Sequence, residues 1–425
     1  MSQTRVLVAG ASIAGPALAH WLHRWGAVVT VVERAAELRP GGQAVDARGV
    51  TKEVIRRMGL DPAVRAACTQ TIGAHTVDAD GNVLETFRVD DDGGDGFIAE
   101  IEILRGDLSQ VLYDDTRDDV EYIFGDRIAE LVQDADGVEV VFASGDRRRF
   151  ELVVGADGLH SGLRALVFGS HEQFVHHLGH ALAFFSVPNE FGLDTWLLDY
   201  QESGRSAGLR PIQDATRAMA MFSFPAADID IDYRDIEAQK RLLRARMDGM
   251  GWLTPRILAH LDDTPDFYLD QVVLDRWSRG RVGLLGDAAF SSSPMSGQGT
   301  GLALVGAYVL AGELAAAGWN PELGFARYEA RMRSFVEANQ EIAQLNARTR
   351  EVPGPESEPV PDFTGEWFAE LVGRAINGVE LPDNTGVPGS GVLGTSPIDA
   401  ALSDRDQRRR TTISGGSASD RPTTQ

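Results

Sequence analysis

Residues Arg5–Gly15 read Arg-Val-Leu-Val-Ala-Gly-Ala-Ser-Ile-Ala-Gly, a short valine-rich run that breaks directly into a glycine turn. An apolar run without polar alternation fits a strand buried on both faces of a parallel sheet. Ile13 to Trp25 then carries apolar residues at helical spacing and stops at Gly26, a C-terminal cap. Ala27–Val32 is a second apolar, β-branched run, ending at Glu33. Strand, helix and strand of this size form a βαβ unit, so the fold class expected is α/β.

The turn has a specific chemistry. Gly10 makes the tight bend, and Gly15 lets helix and strand pack closely. Ile13 and Ala14 open a helix whose free N–H groups and partial positive charge suit a pyrophosphate. Ser12 stands where a second glycine is usual; it is small, and its hydroxyl can itself bond a phosphate oxygen. Glu33, eighteen positions after Gly15, is placed to accept hydrogen bonds from a ribose. FAD and NAD share both features, so the turn alone does not separate them.

A second motif lies far downstream. Arg281–Leu285 reads as a buried strand running into Gly286-Asp287-Ala288-Ala289, followed by Ser293-Pro294-Met295-Ser296-Gly297-Gln298-Gly299-Thr300-Gly301 and a long apolar helix over Thr300–Ala317. A carboxylate at a strand end suits the hydroxyls of a ribityl chain. The glycines let backbone approach an isoalloxazine ring, and the helix N-terminus faces the ring edge that becomes negative on reduction.

Further short strands are expected at Val120–Phe124, Ala129–Gln133, Val138–Ala143 and Leu152–Val154, with helices at Thr51–Gly59, Glu102–Thr116 and Gly324–Asn346. The character changes between residues 166 and 275, where Ala181–Val187, Trp196–Tyr200 and Ala218–Phe224 are strand-like and Asp235–Met247 is an amphipathic helix. The acidic stretch Asp90–Gly96 reads as a solvated loop. Beyond Val352, Pro, Gly, Ser and Thr dominate, and the stretch from Ser403 to Gln425 has the composition of a disordered tail.

The chain has 425 residues, enough for about two domains. Its 63 acidic and 40 basic side chains give a formal charge of -23, which repels phosphate backbones and argues against nucleic acid as a partner. The single cysteine, Cys68, can form no internal disulfide. His176, His177 and His180 lie close together without a supporting Cys or paired acid, so no metal site is expected. No signal-peptide pattern opens the chain, and the run Leu302–Ala317, interrupted by Gly306 and Gly312, is too short to span a bilayer. A soluble cytoplasmic protein without a membrane partner is the expectation; oligomeric state is not legible.

The chain resembles the class A flavoprotein monooxygenases, of the para-hydroxybenzoate hydroxylase fold. Three signatures carry the resemblance in order over residues 1–345: the fingerprint ending in Glu33-Arg34, the middle motif Gly155-Ala156-Asp157-Gly158-Leu159-His160-Ser161-Gly162-Leu163-Arg164, and Gly286-Asp287 with its Pro294–Gly301 loop. The resemblance implies a discontinuous Rossmann-like, glutathione-reductase-type FAD domain from residues 1–70, 98–165 and 276–350. It implies an inserted β-sheet substrate domain from 71–97 and 166–275, with a C-terminal extension over 351–402. It also implies that Asp157 and Arg164 hold the loop beside the flavin and the NAD(P)H path, that Arg105 touches FAD, and that Asp126 lies where the chain passes the adenine. Gly41–Asp46 is similar to a stretch of the tetracycline-inactivating members that reaches the flavin, which implicates Asp46, and Arg39 as a nicotinamide-phosphate contact. Three positions depart from the pattern: Phe290 replaces a frequent His, Gly301 a frequent Asn, and Gly306 an acidic residue.

The activity so implied is monooxygenation: NADPH or NADH reduces FAD, O2 adds, and a flavin hydroperoxide hydroxylates or epoxidises a small aromatic, polyketide or antibiotic-like substrate. The cofactor carries the hard step, so no side chain is assigned as catalytic. Phe184, Phe185, Trp196, Met219, Met221, Phe222 and Phe224 are candidates for the pocket lining, with strand alternation selecting among them. An FAD-dependent dehydrogenase or reductase, and a non-catalytic flavin-fold binding protein, remain as alternatives. The tryptophan-halogenase stretch WxWxIP is absent from the sequence.

Overall fold

Val6, Leu7 and Val8 are wholly buried, as a central parallel strand requires. In the computed structural model Arg5–Ala9 lies between two parallel neighbours, Val28–Glu33 and Leu152–Gly155. Glu121–Phe124 extends this sheet on one side and Val282–Leu284 on the other, with Ser278–Arg279 antiparallel at the edge, six strands in all. The structure describes residues 3–89, 94–96, 98–226, 229, 234–261, 266–349 and 365–383. Most of the loop expected at Asp90–Gly96, and the tail from 403, lie outside the described residues.

Four of these parallel strands end on one side of the sheet, at Gly10, Glu33, Ala156 and Leu285. Backbone bonds tie the ends together: Gly10 N–H to the Val32 carbonyl at 2.7 Å, Ala156 N–H to Ala9 at 2.7 Å and Leu285 N–H to Gly155 at 2.8 Å. All three sequence motifs therefore open onto a single edge, the crevice at strand carboxyl ends where open α/β sheets bind ligands. Helices Ala14–Arg24 and Gly299–Ala316 pack on each other above it. The second of these is the one described helix long and apolar enough to cross a membrane, and 89% of it is buried inside the protein.

A seven-stranded sheet forms the other layer, in the order Asp266–Val272, Val175–Pro188, Arg217–Pro225, Arg205–Pro211, Trp196–Glu202, Gly73–Val77 and Val83–Arg88. Strand alternation sorts its residues. Phe185, Phe222, Phe224, Ala183, Ala220 and Leu209 pack with Leu243, Met247 and Ile257 of the covering helices. Phe184, Met219, Met221 and Arg210 point to the opposite face, toward the six-stranded sheet's domain. Of the pocket candidates only Phe184, Met219 and Met221 keep that position, whereas Trp196 stacks on His75 at 4.1 Å.

Several elements differ from the sequence-based expectation. Glu102–Leu104 belongs to a strand, Ile101–Leu104, and the helix begins at Arg105. The four residues Ile101–Leu104 are all buried, and the strand pairs antiparallel with Ala44–Ala47, which overrides the helical preference of Glu and Leu. Arg147–Phe150 and Arg205–Pro211 are strands whose polar composition hid them. Within the extension, Glu366–Asn377 is a helix that docks Leu371 and Ala375 against Ala338 and Ile342.

Candidate active site

The fingerprint turn has no room for side chains at its glycines. Gly10 stands at φ +106°, and a Cβ there would fall on the Ala156 carbonyl. A Cβ at Gly15 would fall on the Gly10 carbonyl. The helix that follows, Ala14–Arg24, has no side-chain cap, so its first amides stay available. Glu33 braces the turn from the next strand, accepting from Ala11 N–H and Ala35 N–H at 2.9 Å each. Ser12 Oγ faces Ser109 Oγ at 3.4 Å and accepts from Arg105 Nη1 at 3.3 Å.

These residues share one cleft with Glu37, Leu38 and Arg39. Arg39 thus stands with Glu33 in this cleft. Arg34 is exposed beside it. Arg105 crosses Gly42 so closely that a Cβ there would meet its Nε at 2.6 Å. Asp126 turns its carboxylate elsewhere: Oδ1 accepts from Arg127 N–H at 2.8 Å and Ser144 N–H at 3.1 Å, while its own N–H bonds the Glu33 carbonyl.

In the middle motif Asp157 and Arg164 hold loops. Asp157 accepts from Ser161 Oγ at 2.5 Å, Gly162 N–H at 2.8 Å and Leu163 N–H at 3.1 Å, which starts the helix Gly162–Val167. Crowding by protein still raises its carboxyl above the ordinary range. Arg164, 1% exposed, donates to the carbonyls of Ala288 at 2.9 Å and Leu159 at 2.6 Å. It therefore fastens the middle motif to the Gly-Asp motif.

Gly286, at φ +61°, lies against Ala14 and Ala303, so the starts of the two helices meet across it. Asp287 is exposed at the strand end while protein crowds it on its other sides. That crowding lifts its carboxyl to about 6, while the Ser291 hydrogen bond and the nearby Arg164 pull the other way. Beyond it, Ser293 at φ +68° and Gly297 at φ +66° shape the loop, and Ser292 Oγ meets Ser296 Oγ at 2.8 Å. Gly299–Ala316 then starts with no side-chain cap on Gly299, Thr300 or Gly301.

The three departures are packing exchanges. A Cβ at Gly306 would meet Leu285 at 2.8 Å and the Phe290 ring at 3.5 Å, so the bulky Phe290 and the bare Gly306 fit each other. Phe290 is 1% exposed and lies 4.6 Å from the Trp277 ring. Beside Gly301, the hydroxyl of Thr51 and the amide of Gln298 occupy the room a side chain would take, at 2.7 and 3.1 Å from its Cβ position.

One cluster carries no mark in the sequence. Asp46 and Glu102 are cross-strand partners, an arrangement that like charges oppose. Arg48 neutralises Asp46, Nη2 to Oδ2 at 2.9 Å, and Arg210 of the seven-stranded sheet bonds Glu102. Glu102 also accepts from Thr69 at 2.6 Å and Thr71 at 2.8 Å. Asp46 Oδ1 and Arg210 Nε are buried with no hydrogen-bond partner among the described residues. No local sequence signal points to Arg48, which lies just past the strand Ala44–Ala47. His176, His177 and His180 bring together no metal-ligand group among the described residues.

The described residues fit FAD. The glycines leave a backbone-lined groove, two uncapped helices converge on it, and carboxylates stand at both ends, at Glu33 and Asp287. A family model described as "FAD binding domain" matches residues 3–343. An uncharacterised protein of Mycobacterium tuberculosis (strain ATCC 25618 / H37Rv) is 47% identical over 84% of this chain and 96% of its own length. A flavin-dependent monooxygenase of Legionella longbeachae serogroup 1 is 36% identical over 89% of this chain and 97% of its own. Among solved structures, tetracycline destructase Tet(51) superposes with a TM-score of 0.78 at 36% identity, covering 90% of this chain and all of that one.

Proposed function

The chain belongs to the FAD binding domain family of flavin-dependent monooxygenases, and from that membership we propose how its own residues serve the reaction. Bound FAD supplies the redox chemistry, taking electrons from NAD(P)H and activating O2 for transfer to a small organic substrate. Glu33 receives the adenosine end of FAD and Arg39 the phosphate of the nicotinamide cofactor; Ser12, Arg105 and the amides from Ile13 onward receive the pyrophosphate. Asp287 meets the ribityl chain, and the Gly299–Gly301 amides lie at the ring. Asp157 and Arg164 keep the intervening loop in place.

The substrate lies between the ring and the open face of the seven-stranded sheet. Phe184 and Met221 are partly open there, giving the face an apolar character. Arg210, bonded to Glu102 through Nη1, and Arg217, beside Ser186, give it positive charge. That combination suits a planar aromatic or polyketide molecule bearing an oxygen acceptor. The observation that carries the proposal is the convergence of three motifs, spread over residues 10–301, on one sheet edge opposite this face.

The test is consumption of NADPH and NADH, with O2 uptake, by the purified yellow protein. The panel spans aromatic acids, indoles and multi-ring polyketides, including the tetracyclines named for the destructase structure. Substrate-stimulated uptake and a product heavier by one oxygen atom are expected. No stimulation across the panel sinks the substrate class; a colourless protein that cannot be reconstituted with FAD sinks the cofactor assignment.

A further inference from the structure

Arg48, 7% exposed, ties together three segments remote in sequence. Its Nη2 holds Asp46 Oδ2 at 2.9 Å, its Nε donates to the Gly96 carbonyl at 3.1 Å, and its Nη1 donates to the Gly297 carbonyl at 3.1 Å. The last of these bonds joins residues 249 positions apart. Three donors spread in one plane are what a guanidinium provides and an ammonium does not.

The Gly297 bond acts on a peptide held from both sides. Arg48 takes the carbonyl, and Ser296 Oγ accepts the Gln298 N–H at 3.1 Å. The C=O and N–H of a trans peptide point in opposite directions, so the two bonds together fix its plane. The next three amides, Gly299, Thr300 and Gly301, open an 18-residue helix without a side-chain cap. They carry the positive end of its dipole. Their direction is therefore set one residue upstream, where Arg48 acts.

We propose that Arg48 is a positioning residue that aims the Gly299–Gly301 amides at the flavin ring edge that becomes negative on reduction. Asp46 acts through it, bracing the guanidinium from the strand Ala44–Ala47. The proposal rests on the cleft being an FAD site. It assigns to Asp46 a supporting part in place of direct contact with the cofactor, since Oδ2 is engaged by Arg48 and Oδ1 is buried.

The experiment uses the full-length holoenzyme and follows the ratio of reduced to oxidised flavin against a reference dye at fixed potential, with FAD content and melting temperature recorded alongside. In Arg48→Gln the ratio should fall about tenfold, which for a two-electron couple is about 30 mV. Arg48→Lys keeps the positive charge and loses the fork, so it should fall nearly as far. Asp46→Asn should fall in the same direction by a smaller factor. Arg48→Lys matching the parent overturns the proposal, because charge alone would then suffice. A folded variant that no longer retains FAD overturns it in favour of a role in holding the cofactor. If both Arg48 variants fail to fold, Asp46→Asn decides, and a ratio equal to the parent's counts against the proposal. A parent that binds no FAD sinks the underlying assignment instead.

Discussion

The guanidinium of Arg164 donates to the carbonyl of Ala288 at 2.9 Å, joining two motifs 124 positions apart. A second bond reaches Leu159 at 2.6 Å. Arg164→Met leaves both carbonyls without that donor, at about 1–3 kcal/mol for each buried group. The expected outcome is a lower urea midpoint for the apoprotein and loss of FAD on gel filtration. Parental stability and FAD content in this variant would show that the two motifs stand independently.

Two glycines with opposite surroundings give a paired prediction. Gly15→Ala drives a methyl into the Gly10 carbonyl, whereas Gly26, at φ +93°, has nothing within 4 Å of its Cβ position. Gly26→Ala should cost about 1–2 kcal/mol of backbone strain and retain FAD. Gly15→Ala should purify colourless. Flavin absorbance per polypeptide separates the two, and a yellow Gly15→Ala protein refutes the close approach at the turn.

The Arg210–Glu102 pair crosses from the seven-stranded sheet to the strand that precedes Arg105, with Glu102 only 3% exposed. Arg210→Met alone strands a buried carboxylate opposite Asp46, at about 3–5 kcal/mol. The double variant Arg210→Met/Glu102→Gln should recover most of that loss in chemical denaturation. Equal instability of single and double variants would mean that the pair is not coupled.

His160 supplies a pH signature. Burial, with His171, Arg164, Arg34 and Arg234 adding positive charge around it, holds its imidazole down to about 4. An unfolded histidine titrates near 6.5, so acid protonates the unfolded chain first. Stability from His160 is therefore complete above about 6.5 and is lost as pH falls toward 4, with a ceiling of about 3 kcal/mol. His160→Gln should flatten the decline of the urea midpoint over that window. A decline identical to the parent's would assign it to other groups.

The six-stranded sheet was legible because its central strands are buried on both faces, so Arg5–Ala9, Val28–Glu33 and Leu152–Gly155 stand out as unbroken apolar runs. Glycines with demanding geometry marked the turns for the same reason. Arg147–Phe150 escaped because an exposed edge strand can be written in arginine, and Ile101–Leu104 because its strand character comes from pairing with Ala44–Ala47. The helix Glu366–Asn377 was masked by the proline- and glycine-rich chain around it. Arg48 and Arg210 had no local signature: their partners lie up to 249 and 108 positions away. Alternation in the sheet predicted that only part of Phe184–Phe224 would face the cleft, but which part depended on the side the helices cover.

The order of strands in the six-stranded sheet bears on how the protein is made. Arg5–Ala9 leaves the ribosome first yet sits between Val28–Glu33 and Leu152–Gly155, with Val282–Leu284 one strand further out. The Ala156 carbonyl that backs Gly10 and the Gly286 that abuts Ala14 are synthesised long after the turn they complete. A nascent chain ending before Gly301 has an N-terminal nucleotide motif but lacks the far wall of its cleft. On the proposed site, FAD capture is in consequence a late event in biosynthesis, one that waits on the chain through Gly301.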